Sequence, residues 1–204
     1  MFVIIDCSIN NSGSLLNMIK KVGFDAKISD DISDLRAANG IFLPGNGSFD
    51  SGMMALAKDN LREKLEECVL DKKIPLMGIC LGMQLLSKGS EEGVAQGLGW
   101  IDAKVLKFKK TKQIKVPHMG WNDVFVKKNN VLITDDSQPR FYFVHSFYMK
   151  CASETDIILS SQHGIEFVAG IQKNNIFGVQ FHPEKSHTFG SRLIENFCLY
   201  CHAI

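Results

Sequence analysis

Three short apolar runs punctuate the first eighty residues: "FVIID" (2–6), "GIFLPG" (40–45) and "IPLMGIC" (74–80). None alternates with polar residues, so each predicts a strand buried on both faces. Stretches of helical period lie between them. Residues 12–23 predict a helix capped by Ser12 and closed by Gly23. A longer helix falls within 52–71, with Leu61, Leu65, Cys68 and Val69 on its apolar stripe. "DAKIS" (25–29) adds a short alternating strand, and the run 74–80 passes directly into a helix over "LGMQLLSKG". Strands alternating with helices at this spacing require a largely parallel sheet with helices on both faces.

Beyond residue 100 the pattern becomes all strand. "AKVLKF" (103–108), "DVFVKK" (123–128), "FYFVHSFYM" (141–149), "DIILSS" (156–161) and "FVAGIQKNNIFGVQFH" (167–182) follow one another, the last a hairpin through Lys173-Asn174-Asn175. A helix from about 189 to 201 closes the chain. With 204 residues and no linker or repeat, the expectation is one α/β domain over 1–204. Its fold class is a single open, twisted, mixed sheet, with a mostly parallel core, helices on both faces and an antiparallel extension.

Charge and cysteine usage narrow the function. Lys plus Arg number 23 against 22 for Asp plus Glu, which gives no support for nucleic acid or an anionic membrane as partner. The densest basic run, "KVLKFKKTKQIK" (104–115), reads as the solvated face of a strand or hairpin. Phe2 to Ile5 is too short for a signal peptide. The run 74–86 is shorter than the roughly 18 residues of a membrane span. A cytoplasmic protein with six free thiols is therefore expected, and the sequons at Asn10-Asn11-Ser12 and Asn46-Gly47-Ser48 carry no weight. "CLYCH" (198–202) matches a haem-attachment pattern. Its competitor is a buried stripe of Leu193, Ile194, Phe197, Cys198 and Cys201 at helical spacing, with no second Cys-x-x-Cys pair to complete a zinc site.

In open sheets, ligands bind beyond the C-terminal ends of the strands. Cys80, "PGNG" (44–47) and "FHPE" (181–184) all fall there. Gly78-Ile79-Cys80-Leu81-Gly82 is a cysteine version of the strand–turn–helix nucleophile elbow. Its glycines allow the tight turn, and the helix N-terminus favours a thiolate. The N–H of Leu81 would face the oxygen of an attacked carbonyl. A cysteine nucleophile needs a base, and the base an orienting group. In His182-Pro183-Glu184, proline holds His182 extended and residues two apart point the same way, so Glu184 can fix the imidazole. His145 has no carboxylate within eight positions, and His118 has only Asp123, five residues on. The glycines of "LPGNGSF" (43–49) permit a backbone that presents N–H groups to an oxyanion, with a plain surface turn as the alternative.

Together these motifs resemble the class I, triad-type glutamine amidotransferases. "PGNGSF", "GICLGMQLL", "GLGW" (97–100), "VPHMGWN" (116–122), "YFVHSFY" (142–148) and "GVQFHPEKS" (178–186) follow, in order, the pattern of the glutaminase subunits of imidazole glycerol phosphate synthases. The resemblance implies glutamine hydrolysis by Cys80, His182 and Glu184, with oxyanion contacts from the backbone N–H of Leu81 and of Asn46. It implies glutamine binding at Gly47, Gln84 and Ser146. Ammonia would pass to a (β/α)₈ synthase subunit, in a heterodimer touching Trp121, Tyr142, Lys185, Asn10 and Asn11. No metal or organic cofactor is implied. Two positions depart from the family pattern: "Asp6-Cys7-Ser8-Ile9-Asn10-Asn11" replaces a glycine-containing turn, and Asn46 stands where valine is usual. These departures keep a second acceptor in view, a paralogous supply of ammonia for amidination of a bacterial surface sugar. A partner-holding subunit without activity and a cysteine peptidase are the lesser alternatives.

Overall fold

The computed structural model describes residues 1–6, 12–112, 114–134 and 138–204. The apolar runs become β1 (Phe2–Ile4), β3 (Gly40–Gly45) and β4 (Leu76–Cys80), with β2 at Ala26–Ile28. The later strands are β5 (Ala103–Lys107), β6 (His118–Val126), β7 (Arg140–His145), β8 (Phe147–Cys151), β9 (Ile157–His163), β10 (Ile165–Lys173) and β11 (Ile176–Val179). Among the described residues, nine strands form one sheet in the order β2-β1-β3-β4-β11-β10-β9-β6-β7, and β5 pairs with β8 in a second. The first five in that order run parallel. From β11 outward each neighbour is antiparallel. The mixed sheet is thus a parallel half joined to an antiparallel half along β11.

Two-residue alternation divides the core between the faces of the sheet. Val3, Ile41 and Leu43 pack on one side with α2 (Ile32–Arg36), α3 (Phe49–Ala57), α4 (Leu61–Glu66) and α5 (Leu81–Leu85). Phe2, Ile4 and Phe42 pack on the other with α1 (Ser12–Lys21) and α6 (His187–Ala203). Cys198 and Cys201 are buried on the inner stripe of α6, as their spacing predicts. Burial raises both thiols, Cys201 to about 12. In the basic run, Lys104 and Lys107 are exposed while Val105 is buried, so the strand presents its lysines to solvent. The hairpin turns on Asn174 and Asn175, with Lys173 opposite Ile176.

Four local expectations need correction. "FYFVHSFYM" is two strands, not one. The chain bends at Ser146, so β7 joins the large sheet and β8 pairs with β5. The helix within 52–71 is also divided. Ser48 caps α3, and Asp59 and Asn60 then take left-handed backbone with φ of 52° and 55°. Asp and Asn tolerate that conformation better than most residues. The break turns Leu56 and Leu61 to the same core. The helix after Cys80 stops at Leu85 because the following loop takes its last carbonyls: Leu98 N–H bonds to Leu85 O at 2.8 Å and Ile101 N–H to Leu86 O at 3.0 Å. Ser12 is the first residue of α1 and not its cap. The "CSINN" segment, with Asn10 and Asn11, lies outside the described residues.

Candidate active site

Cys80 ends β4 and immediately precedes α5, with φ 54° and ψ −108°. That conformation is costly for a side-chain-bearing residue and persists only where its surroundings enforce it. Here the enforcing contacts are backbone to backbone. A methyl added at Gly82 would lie 1.7 Å from Leu43 O, and one at Gly78 would lie 2.7 Å from Met83 N. The two glycines let α5 fold back against β3 and β4, and this leaves Cys80 as the residue in the turn. Leu81, first in the helix, carries one of the N–H groups that a helix leaves without an internal acceptor. Gly45 stands opposite Cys80 in the β3–β4 ladder, so the "PGNG" strand end runs beside the thiol.

His182 reaches the site from beyond β11. Its N–H bonds to Tyr142 O at 2.9 Å, and Ser186 Oγ donates to His182 O at 2.6 Å while accepting from Tyr142 N–H at 2.9 Å. These bonds tie the His182 turn to β7. The imidazole Nδ1 meets Glu184 Oε1 at 2.7 Å, with both side chains no more than 3% exposed. The opposite nitrogen, Nε2, is buried without a closed hydrogen bond, but it lies within the influence of the Cys80 sulfur. Burial is the largest single effect on this ring and disfavours its charge. The negative charge at Cys80 and Glu184 together outweighs it, and the ring is pushed up to about 10. The ring is thereby favoured as an imidazolium, held between the Glu184 carboxylate and the Cys80 sulfur.

Cys80 opens on a cleft of about 280 Å³. Asn46, Gly47, Leu81, Gln84 and Ser146 line it, so the sequence-predicted oxyanion and substrate positions share one cavity with Cys80. Gly47 has φ +94°, a left-handed geometry that favours glycine. Trp121, Tyr142 and Lys185 sit apart from this cleft, on the outer side of the His182 turn. Trp121 is 41% exposed, lies opposite Tyr142 in the β6–β7 ladder and stacks on His187 at 5.6 Å. Lys185 is exposed.

Sequence reasoning missed Gln180. It is fully buried and directs its carboxamide nitrogen at Cys80 Sγ, 3.7 Å away. The signal was available, since Gln180 stands two residues before His182 and residues two apart in an extended chain point the same way. His118 and His145, weighed as bases, instead bond to each other at 2.9 Å, with His145 lining the cleft. Among the described residues, no group of three or more His, Cys, Asp or Glu side chains is placed to hold a metal ion.

Comparison with known proteins gives this geometry its context. Residues 3–201 match the family described as glutamine amidotransferase class-I. The chain is 50% identical over 198 residues to the imidazole glycerol phosphate synthase subunit HisH 2 of Methanococcus maripaludis, covering 97% of this chain and 98% of that one. It is 41% identical over 201 residues to subunit HisH of Leptospira interrogans, with the same shares covered. Among solved structures, it superposes on PurLQS from Thermotoga maritima with a TM-score of 0.75 at 19% identity, covering 98% of this chain and 97% of that one. A glutamine amidotransferase from Thermotoga maritima gives a TM-score of 0.65 at 18% identity, covering 100% and 84%. The chain belongs to the class-I glutamine amidotransferases, and within them to the family of the HisH subunits of imidazole glycerol phosphate synthase.

Proposed function

We propose that this chain is the glutaminase subunit of an imidazole glycerol phosphate synthase in histidine biosynthesis, acting through Cys80, His182 and Glu184. The observation that carries this reading is a thiol in a strained elbow, backed by a buried histidine–carboxylate pair and open to a small cleft. At about 280 Å³ the cleft is just below the range of roughly 300–1,000 Å³ typical of drug-sized ligands, a size suited to an amino acid.

The Cys80 thiolate attacks the side-chain amide carbon of glutamine, and the carbonyl oxygen takes up the negative charge. Backbone N–H groups of Leu81 and Asn46 stabilise that oxyanion, while Gly47, Gln84 and Ser146 hold the substrate. Collapse of the adduct breaks the C–N bond. The His182 imidazolium gives its proton to the departing ammonia, leaving a γ-glutamyl thioester on Cys80. His182 then takes a proton from water as the water attacks the thioester, and returns it as the thiol leaves with glutamate. Glu184 orients the ring and stabilises its cationic form throughout. Ammonia passes to a (β/α)₈ synthase subunit docked over Trp121, Tyr142 and Lys185, beside the turn that carries the base. Asn10 and Asn11 belong to the same proposed interface.

One observation favours a second acceptor. The relatives in Methanococcus maripaludis and Pseudomonas aeruginosa, at 50% and 48% identity, bear the name HisH 2, whereas the unnumbered HisH subunits of the two Leptospira species lie at 41% and 40%. A numbered name implies a second such subunit in the same organism, and the departures at Asn46 and over residues 6–11 are what suggest the sugar acceptor for this chain. Glutamate release, measured with and without an active histidine-pathway barrel protein and its nucleotide, separates the two. A large rise that needs the loaded barrel supports histidine biosynthesis, and no rise favours the sugar acceptor. Full glutamate release by Cys80→Ala would overturn both.

A further inference from the structure

The carboxamide of Gln180 cannot be turned at will, because its neighbours fix its sense. The carbonyl of Phe147 accepts from Gln84 Nε2 at 3.1 Å and from His145 Nδ1 at 2.7 Å. A carbonyl only accepts, so Gln84 presents its NH₂ and His145 carries its proton on Nδ1. The second hydrogen of that NH₂ goes to Gln180 Oε1 at 2.9 Å. Gln180 must then aim its own NH₂ at Cys80 Sγ.

The same logic runs outward from Phe147. With Nδ1 protonated, neutral His145 accepts at Nε2, taking a hydrogen from His118 Nδ1 at 2.9 Å. His118 in turn accepts at Nε2 from Asn122 Nδ2 at 3.1 Å. Asn122 is fixed because its NH₂ also donates to Gln162 O at 2.8 Å and its Oδ1 accepts Asp123 N–H at 2.9 Å. Burial keeps both rings neutral, pushing His118 down to about 4 and His145 to about 3. Every link therefore has a fixed sense: Asn122, His118 and His145 donate in turn toward the Phe147 carbonyl, and Gln84 donates both to that carbonyl and to Gln180, which donates to Cys80.

We propose that Gln180 is a positioning residue for the nucleophile, donating an N–H to the Cys80 sulfur in a direction fixed by Gln84 and the Phe147 carbonyl, the same carbonyl on which the Asn122–His118–His145 chain ends. A donor aimed at the sulfur favours its anionic form. The Phe147 carbonyl belongs to a residue of the cleft wall, so displacement of the Phe147–Tyr148 peptide is felt at the Cys80 sulfur. The other titratable groups acting on this centre are His182, paired to Glu184, and His145 through its charge coupling to His182.

The inference rests on the reading of Cys80 as nucleophile, so its test is separate from glutamine turnover. Alkylation of the purified full chain by iodoacetamide is followed against pH, by mass spectrometry of the peptide carrying Cys80. In Gln180→Met the midpoint is expected to rise by about one pH unit, slowing alkylation near neutrality about tenfold. Glutamate release in the complex should lose about tenfold in kcat, with KM within about twofold. Gln84→Leu, which removes the donor that fixes the sense of Gln180, should shift the alkylation midpoint in the same direction by less, and it tests the same link if Gln180→Met does not fold. An alkylation profile that superimposes on the parent's overturns the inference, as does a rise in KM alone. Neither result touches the glutaminase reading, which Cys80→Ala tests.

Discussion

His182 and His145 are both buried, at 2% and 6% exposure, and both sit at the C-terminal end of a strand. Their protonation is opposite. His182 faces a thiol and a carboxylate and is pushed up to about 10, whereas His145 faces a carbonyl and another imidazole and is pushed down to about 3. Burial opposes the charge on each and is the largest single influence on each. The partners decide the outcome: anionic groups overcome desolvation at one site, and neutral dipoles fail to overcome it at the other. One site can hold and return a proton during a reaction. The other can only hold a geometry.

The strongest way to break this contrast is to remove the proton-handling pair. Cys80→Ala and His182→Ala should each lower glutamate release at least about 10³-fold, with melting temperatures near the parent's. Glu184→Gln, which leaves the ring in place but removes its negative partner, should cost about 10²-fold in kcat. The His182 ring should then titrate well below the parent's value in an NMR titration. An unchanged titration would mean that Glu184 does not hold the charge.

The two histidines also predict opposite pH effects on stability. The folded state raises His182, so its contribution is full below the unfolded value near 6.5 and is lost as pH rises through about 10. The folded state lowers His145 and His118, so their contribution is present above about 6.5 and is lost as pH falls toward about 3 and about 4 respectively. Urea melts at pH 5 should show about 2 kcal/mol lost through His145 relative to neutrality. His145→Phe should flatten that part of the curve, and a parallel curve would refute the assignment. The smallest effect concerns the outer face. Trp121→Ala should weaken binding of the synthase partner about tenfold in a titration, as expected of a half-exposed aromatic at an interface.

Much of this contrast was legible in the sequence, and the illegible part has a definite cause. The elbow glycines could be read because only a residue without a side chain fits where an added Cβ would fall within 3 Å of a neighbouring backbone atom. The pairing of Glu184 with His182 could be read, but not its cause: Pro183–Lys185 form a turn of 3₁₀ helix, and this tight turn, not an extended two-residue step, brings the carboxylate to the ring. The bend at Ser146 could not, since "FYFVHSFYM" has an unbroken strand pattern and the pairing of β8 with β5 is set by residues some forty positions away. The break at Asp59 and Asn60 was hidden for a related reason. Helical period continues across it, and only the fit of Leu56 and Leu61 to one core requires it.

The sequence by itself determined the alternation of strands and helices, the elbow and the His-Pro-Glu turn, because each depends on local sterics and short spacings. Only the tertiary structure decided which buried histidine carries charge and which glutamine meets Cys80. Those outcomes depend on partners brought together from strands far apart in the chain. His145 finds His118 across the β6–β7 ladder, and Gln84 finds Gln180 from 96 residues away. A one-dimensional pattern can show that such polar side chains are present. Their charge and direction follow from the donors and acceptors that the folded sheet sets against them.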